Sequence, residues 1–155
     1  MYQFLDQPVN ALVPGSRLLL WAARGWAWAR IGGACPPGAI APAFLHCDAI
    51  AALPDLHRLL LMLEGDDLDE RLALPPVGAP CIDDVEAVLL QLWADALTRP
   101  YRARATLALM LGAEDEEDGR KQVDAAFAAL GRVATILLGK GLAPEGLAAR
   151  SAAGA

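Results

Sequence analysis

The sequence predicts an all-α fold, and three observations carry that prediction. Ala and Leu dominate a chain of which 55% is hydrophobic, while β-branched residues are few, so bulk propensity favours helix over strand. Apolar residues recur at spacings of three and four, the period of a helix buried along one face. Pro, Gly and capping residues cut this pattern into five or six segments. The 155 residues match one ordinary domain with a core of its own. We therefore expect a single-domain bundle over residues 1–141, orthogonally or irregularly packed, with an irregular lead-in and a mobile Ala/Gly-rich tail over 142–155.

The elements follow in order. Asp6, Pro8 and Pro14 make residues 1–14 the lead-in. Ser16 is the expected N-cap of a first helix that runs to about Ile31, where Gly32-Gly33 stops it. Ala22, Gly25, Ala29 and Gly32 give this helix a face of small residues, and Leu19, Ala23 and Trp26 give it an apolar one. A helix apolar nearly all round belongs in the middle of a domain or an oligomer. After the Cys35-Pro36-Pro37-Gly38 loop, Pro42 is expected to open a second helix carrying Phe44, Leu45, Ile50 and Leu53. Pro54 kinks it or begins the next, in which Leu56, Leu59, Leu60 and Leu63 repeat through Glu64. Gly65 to Pro80 is the main break, with a short turn or strand around Arg71 to Leu74. Asp83 and Glu86 then have the spacing of a capping box, and Val85, Val88, Leu89, Leu92, Trp93 and Ala96 form the stripe of a helix ending near Thr98. Pro100 opens a further helix with Leu107, Met110 and Leu111, closed by Gly112. Glu114 to Asp118 begins the last one, where acids suit the macrodipole. Its seam is Val123, Phe127, Leu130, Ala134 and Leu137, and Gly139 and Gly141 end it.

The net charge of −6 is unevenly placed: residues 1–63 carry +1, 64–118 carry −10 and 119–155 carry +3. No basic face large enough to neutralise many phosphates is visible, which argues against nucleic acid as a partner. The acidic middle serves the solubility of an apolar protein. The first fifteen residues lack the basic start of a secretory signal. Arg24 and Arg30 interrupt the apolar run around Leu18, and the uncharged stretch Ile31 to Cys47 is rich in Pro and Gly, so neither is expected to span a bilayer. Three cysteines without regular spacing fit reduced thiols in the cytoplasm.

The most distinctive pattern is a ladder of Arg17, Trp21, Arg24 and Trp28, which step along one helical stripe. Each guanidinium can lie over an indole face there. As a surface, the stripe combines the residue types that anchor interfaces; as core, it is Trp buried with Arg stems lying along it. Cys35, His46, Cys47, His57 and Cys81 are all the Cys and His of the chain. Cys47, His57 and Cys81 are the candidate metal set, although no close Cys pair exists and His46 and Cys47 point about 100° apart on a helix. Cys81 lies near the amides of the predicted cap, which favour a thiolate, and Asp83, Asp84 and Glu86 oppose that. The runs Asp66 to Glu70 and Glu114 to Asp118 lack the alternation of a calcium loop. No phosphate loop, nucleophile elbow or HExxH pattern occurs, and nothing calls for a cofactor.

Arg17-Leu18-Leu19-Leu20, His57-Arg58-Leu59-Leu60-Leu61 and Pro80-Cys81 before Glu86 and Leu89-Leu90 resemble a family of small uncharacterised all-helical bacterial proteins, a domain of unknown function, over roughly residues 16–111. The resemblance implies a helical fold and transfers no catalytic residues. That family's pattern often has a cysteine pair near Cys81, where this chain has one. The sequence thus leads to a non-enzymatic interaction or regulatory module that self-associates as a homodimer through Arg17, Trp21, Arg24 and Trp28. The alternative is a small-ligand or metal-binding protein with a pocket near Cys47, His57 and Cys81.

Overall fold

The computed structural model describes residues 3–65, 72–113 and 116–147. Among the described residues the fold has six α-helices and no strand: α1 Pro14–Ile31, α2 Pro36–His46, α3 Leu53–Glu64, α4 Asp84–Asp95, α5 Pro100–Met110 and α6 Glu117–Gly139. The chain is an all-α helical bundle. Helix α1 packs on α2 and α4, α3 on α6, and α5 on both α4 and α6. The acids Asp66 to Glu70, the start of the expected Arg71 to Leu74 turn, Glu114 and Asp115 lie outside the described residues, as does the tail from 148 onward.

Several helix ends follow their local chemistry. The Asp83 carboxylate accepts from the Glu86 amide (2.9 Å), and Glu86 Oε2 accepts from the Asp83 amide (3.1 Å), the two halves of a capping box. Burial raises the Asp83 carboxyl above its ordinary pKa, against the lowering pull of that amide. Gly65 and Gly112 close α3 and α5 with positive φ, a conformation that costs glycine little.

The bounds of three helices differ from the sequence expectation, and α2 also ends at His46, so that Ile50 and Leu53, expected on it, lie in a short 3₁₀ turn and at the start of α3. Helix α2 starts at Pro36, so Pro42 lies inside it; both Pro42 and Gly38, whose carbonyl loses its helical donor, are exposed, and water can serve that carbonyl. Helix α4 gives way to a turn after Asp95, short of Thr98. Ser16 is no N-cap. Helix α1 begins at Pro14, and its orphan amide at Val13 donates to Glu145 Oε1 (2.9 Å) while Ser16 Oγ donates to the other carboxylate oxygen. Residues 142–147 thus run across the start of α1. Gly15 permits the crossing, since a Cβ there would stand 2.3 Å from the Leu142 carbonyl oxygen.

The main core joins α1, α3, α4 and α6 around Trp26, Leu56, Leu60, Trp93, Leu130 and Leu137. It encloses a cavity of about 30 Å³ lined by leucines, Ala23, Trp93 and Val133. A second cluster of Phe4, Leu12, Leu20, Ile82, Ala87 and Leu90 fixes the lead-in against α1 and α4. Backbone bonds reinforce it, from the Asp6 amide to Ile82 O (3.1 Å), the Ile82 amide to Gln7 O (3.0 Å) and the Val9 amide to Pro80 O (2.9 Å). Helix α6 is long and apolar enough to cross a bilayer by length and composition alone. Here Val123, Ala126, Leu130, Val133 and Leu137 form its buried face.

Candidate interaction surface

The Arg/Trp ladder is not one surface. Arg17 is exposed, Trp21 is half-buried against the core, and Trp28 is 48% exposed. Arg24, expected to orient a contact, is 1% exposed. The segment before α4 crosses α1 at Arg24 and supplies the reason. Arg24 Nη1 donates to Ala79 O (2.7 Å) and Val77 O (3.4 Å), and Nη2 donates to Cys81 O (3.0 Å) and Glu86 Oε2 (2.9 Å). Nε donates to Glu86 Oε1. All five guanidinium N–H groups are thereby used, and Glu86 is itself fully buried. Arg24 is an internal clasp that holds the Val77–Cys81 segment and the α4 capping box on α1.

The cation–π partner in this helix lies off the ladder. The Arg30 guanidinium sits 6.0 Å from the Trp26 ring and pairs with buried Glu64. Trp26 is fully buried, and its Nε1 donates to His57 Nδ1 (2.9 Å). That bond takes up one ring nitrogen of a candidate metal ligand. Cys47 is half-buried at the end of α2, and Cys81 is exposed in the bridged segment opposite Pro8. These residues form no metal-holding group: no set of three His, Cys, Asp or Glu side chains converges among the described residues. All three cysteines are free thiols.

Two features escaped the sequence reading. The first is the outer face of α5. Ala103 and Leu107 turn inward and are fully buried, whereas Tyr101 is 89% and Leu109 84% exposed. Tyr101, Ala105 and Leu109 are spaced four and four, so they share one stripe opposite the buried pair. The signal was present in the sequence: with Ala103 and Leu107 marking one face, the other holds Tyr and Leu where a solvated helix would carry charge. On the α6 side of α5, Arg104 pairs with Asp124 and stacks over Phe127 with its guanidinium carbon 4.3 Å from the ring centroid. Two shallow grooves flank that pair. One of about 440 Å³ includes Ala105, Ala108, Gly119 and Val123; the other, about 420 Å³, includes Leu97, Phe127, Ala128 and Gly131.

The second is a polar crevice of about 570 Å³ bounded by Gln3, Gln91, Asp95, Arg99 and Glu145. Gln3 Nε2 donates to Gln91 Oε1 (3.0 Å), and Gln91 Nε2 donates to Asp95 Oδ1 (3.1 Å). Asp95 is buried, and Arg102 Nε stands 3.1 Å from its Oδ2. That is an ion-pair distance at an angle that makes no hydrogen bond. Gln3, Asp95 and Glu145 are far apart in sequence, so no local motif announces the crevice.

Comparison with protein-family models, with curated proteins and with solved structures finds no match to this chain.

Proposed function

We propose that the protein acts by contact and not by catalysis, as a cytoplasmic helical module whose working form is a homodimer. The observation that carries this reading is the exposure of Tyr101 and Leu109 on one stripe of α5. Large aromatic and aliphatic side chains on one stripe, with a groove that Ala105 of the same stripe helps to line, are what an interface core uses. The contact belongs on α5 because the burial of Arg24 breaks the α1 stripe. Trp28 and Ile31 remain as a smaller exposed pair at the end of α1. Size-exclusion chromatography of the intact chain tests the reading. The wild type should elute as a dimer, Tyr101→Ser with Leu109→Ser as a monomer, and Arg17→Ala with Trp21→Ala as the wild type does. A wild type that elutes as a monomer at every loading would end the proposal.

A second reading, a small-ligand carrier, is favoured by the crevice and moves there from the Cys47, His57 and Cys81 region. The buried Asp95 and Gln91 at its floor are the fixed polar groups such a site uses. A thermal-shift panel of amino acids, polyamines and small carboxylates should yield at least one saturable stabiliser that Gln91→Leu abolishes. A flat panel would remove this reading.

A further inference from the structure

The charges around the polar crevice at the end of α4 specify the kind of molecule it suits. We infer that it binds a free amino acid with an apolar side chain, the carboxylate held by Arg99 and the ammonium by Glu145. This inference rests on the small-ligand reading of that crevice and is independent of self-association.

Three charged side chains line the crevice, Asp95, Arg99 and Glu145. Asp95 is already matched. It is 2% exposed, its Oδ1 accepts from Gln91 Nε2 (3.1 Å), and Arg102 Nε lies 3.1 Å from its Oδ2. The other two are not. The Glu145 carboxylate accepts from the Val13 amide and the Ser16 hydroxyl, neutral donors that leave its charge without a cation. The exposed Arg99 guanidinium makes no ion pair or hydrogen bond among the described residues, and no ion pair joins it to Glu145. One unmatched charge of each sign in a single crevice is the electrostatic complement of a molecule that carries one of each. A plain carboxylate on Arg99 would leave Glu145 unmatched and meet its repulsion. A plain amine on Glu145 would leave Arg99 in the same position.

The backbones that carry the two charges are pinned. The amides of Thr98 and Arg99 both donate to Asp95 O (3.2 and 2.8 Å), and Thr98 Oγ1 donates to Ala94 O (2.9 Å), which ties the turn after α4 to the helix end. Glu145 is pinned on the start of α1 by its two bonds, and each carboxylate oxygen keeps a second lone pair for an ammonium. Gln91, 7% exposed, bridges Gln3 and Asp95 and forms a fixed polar floor. Ala94, Leu97 and Leu147 give the crevice an apolar side, where the side chain of the amino acid lies. The volume of about 570 Å³ falls within the range of small-ligand sites.

Isothermal titration calorimetry of the intact chain tests the assignment. The probes are L-alanine, L-valine, L-leucine and L-phenylalanine, each with its decarboxylated and deaminated analogue (for leucine, isoamylamine and isocaproate), and spermidine. At least one amino acid should bind saturably, and each of its two analogues should bind roughly tenfold to a hundredfold more weakly, the loss of one charge-assisted hydrogen bond. Arg99→Gln should weaken the amino acid by a similar factor without weakening its amine. Glu145→Gln, which keeps an oxygen for the Val13 amide, should weaken the amino acid without weakening its deaminated acid. Circular dichroism of both variants confirms the fold. If an amine, a carboxylate or spermidine binds in a manner that Gln91→Leu abolishes while no amino acid does, the zwitterion assignment is overturned and the ligand-binding crevice stands. An amino acid whose affinity ignores both Arg99→Gln and Gln91→Leu would also overturn it. No saturable heat from any probe would overturn both readings of the crevice.

Discussion

Replacing Arg24 with Met tests the clasp at the centre of the fold. The substitution keeps much of the side-chain volume and removes all five N–H donors. Glu86, fully buried, is left as a charge without its counterion, and a buried pair broken on one side costs about 3–5 kcal/mol. The carbonyls of Ala79 and Cys81 also lose charged donors. They lie on a surface segment and can turn to water, so their loss adds little to that figure. Against the ~5–15 kcal/mol of a typical domain, the change removes a large share of the stability. Urea unfolding followed by tryptophan fluorescence reads it directly. Hydrogen exchange locates it, because the amides of Asp6, Val9 and Ile82, which pair the lead-in with the clasped segment, should lose protection first. Arg24→Met combined with Glu86→Leu should recover part of the loss, since no orphan charge remains. An Arg24→Met chain within about 1 kcal/mol of the wild type, well below the cost of an orphaned buried charge, would refute the clasp.

Further outcomes follow from other contacts. Gly15→Ala should destabilise by about 1–3 kcal/mol, the usual cost of overpacking, and make the 142–147 segment sensitive to limited proteolysis, because the new Cβ displaces Leu142 and with it the Glu145 cap. Val133→Ile adds one methylene beside the 30 Å³ core cavity and should stabilise by up to ~0.8 kcal/mol; a loss in urea midpoint would mean the new methyl group does not enter it. The Arg132 guanidinium holds the Asp55 carboxyl below the usual carboxylate pKa, chiefly by hydrogen bonding. A lowered folded-state value means that the stabilisation is full above the unfolded pKa of ~3.9 and fades as pH falls through the folded one. Asp55→Asn should therefore flatten the rise of urea midpoint with pH below the unfolded value of ~3.9, and an unchanged slope would contradict the assignment.

What the sequence revealed follows from the range of the forces involved. Helix starts and stops are written within a few residues, and so the capping box at Asp83 and Glu86 and the glycine stop after α5 were legible. Pro42 misled because a helix tolerates an interior proline where the freed carbonyl reaches water. Arg24 and Ser16 misled for a different reason. Their partners are Glu86 and Glu145, 62 and 129 residues away, and no local spacing distinguishes a snorkelling arginine from a clasped one. The outer face of α5 was legible in principle from Ala103 and Leu107, but exposure depends on whether α4 or α6 covers that side. The polar crevice depends on three distant segments meeting, which no periodicity encodes.

The central claim, that this chain works as a homodimer through its own apolar surface, is tested most directly by mass in solution. Light scattering of the intact chain over a wide dilution series should give twice the chain mass at high concentration and the chain mass after dilution. A single-chain mass across the whole series would contradict the account.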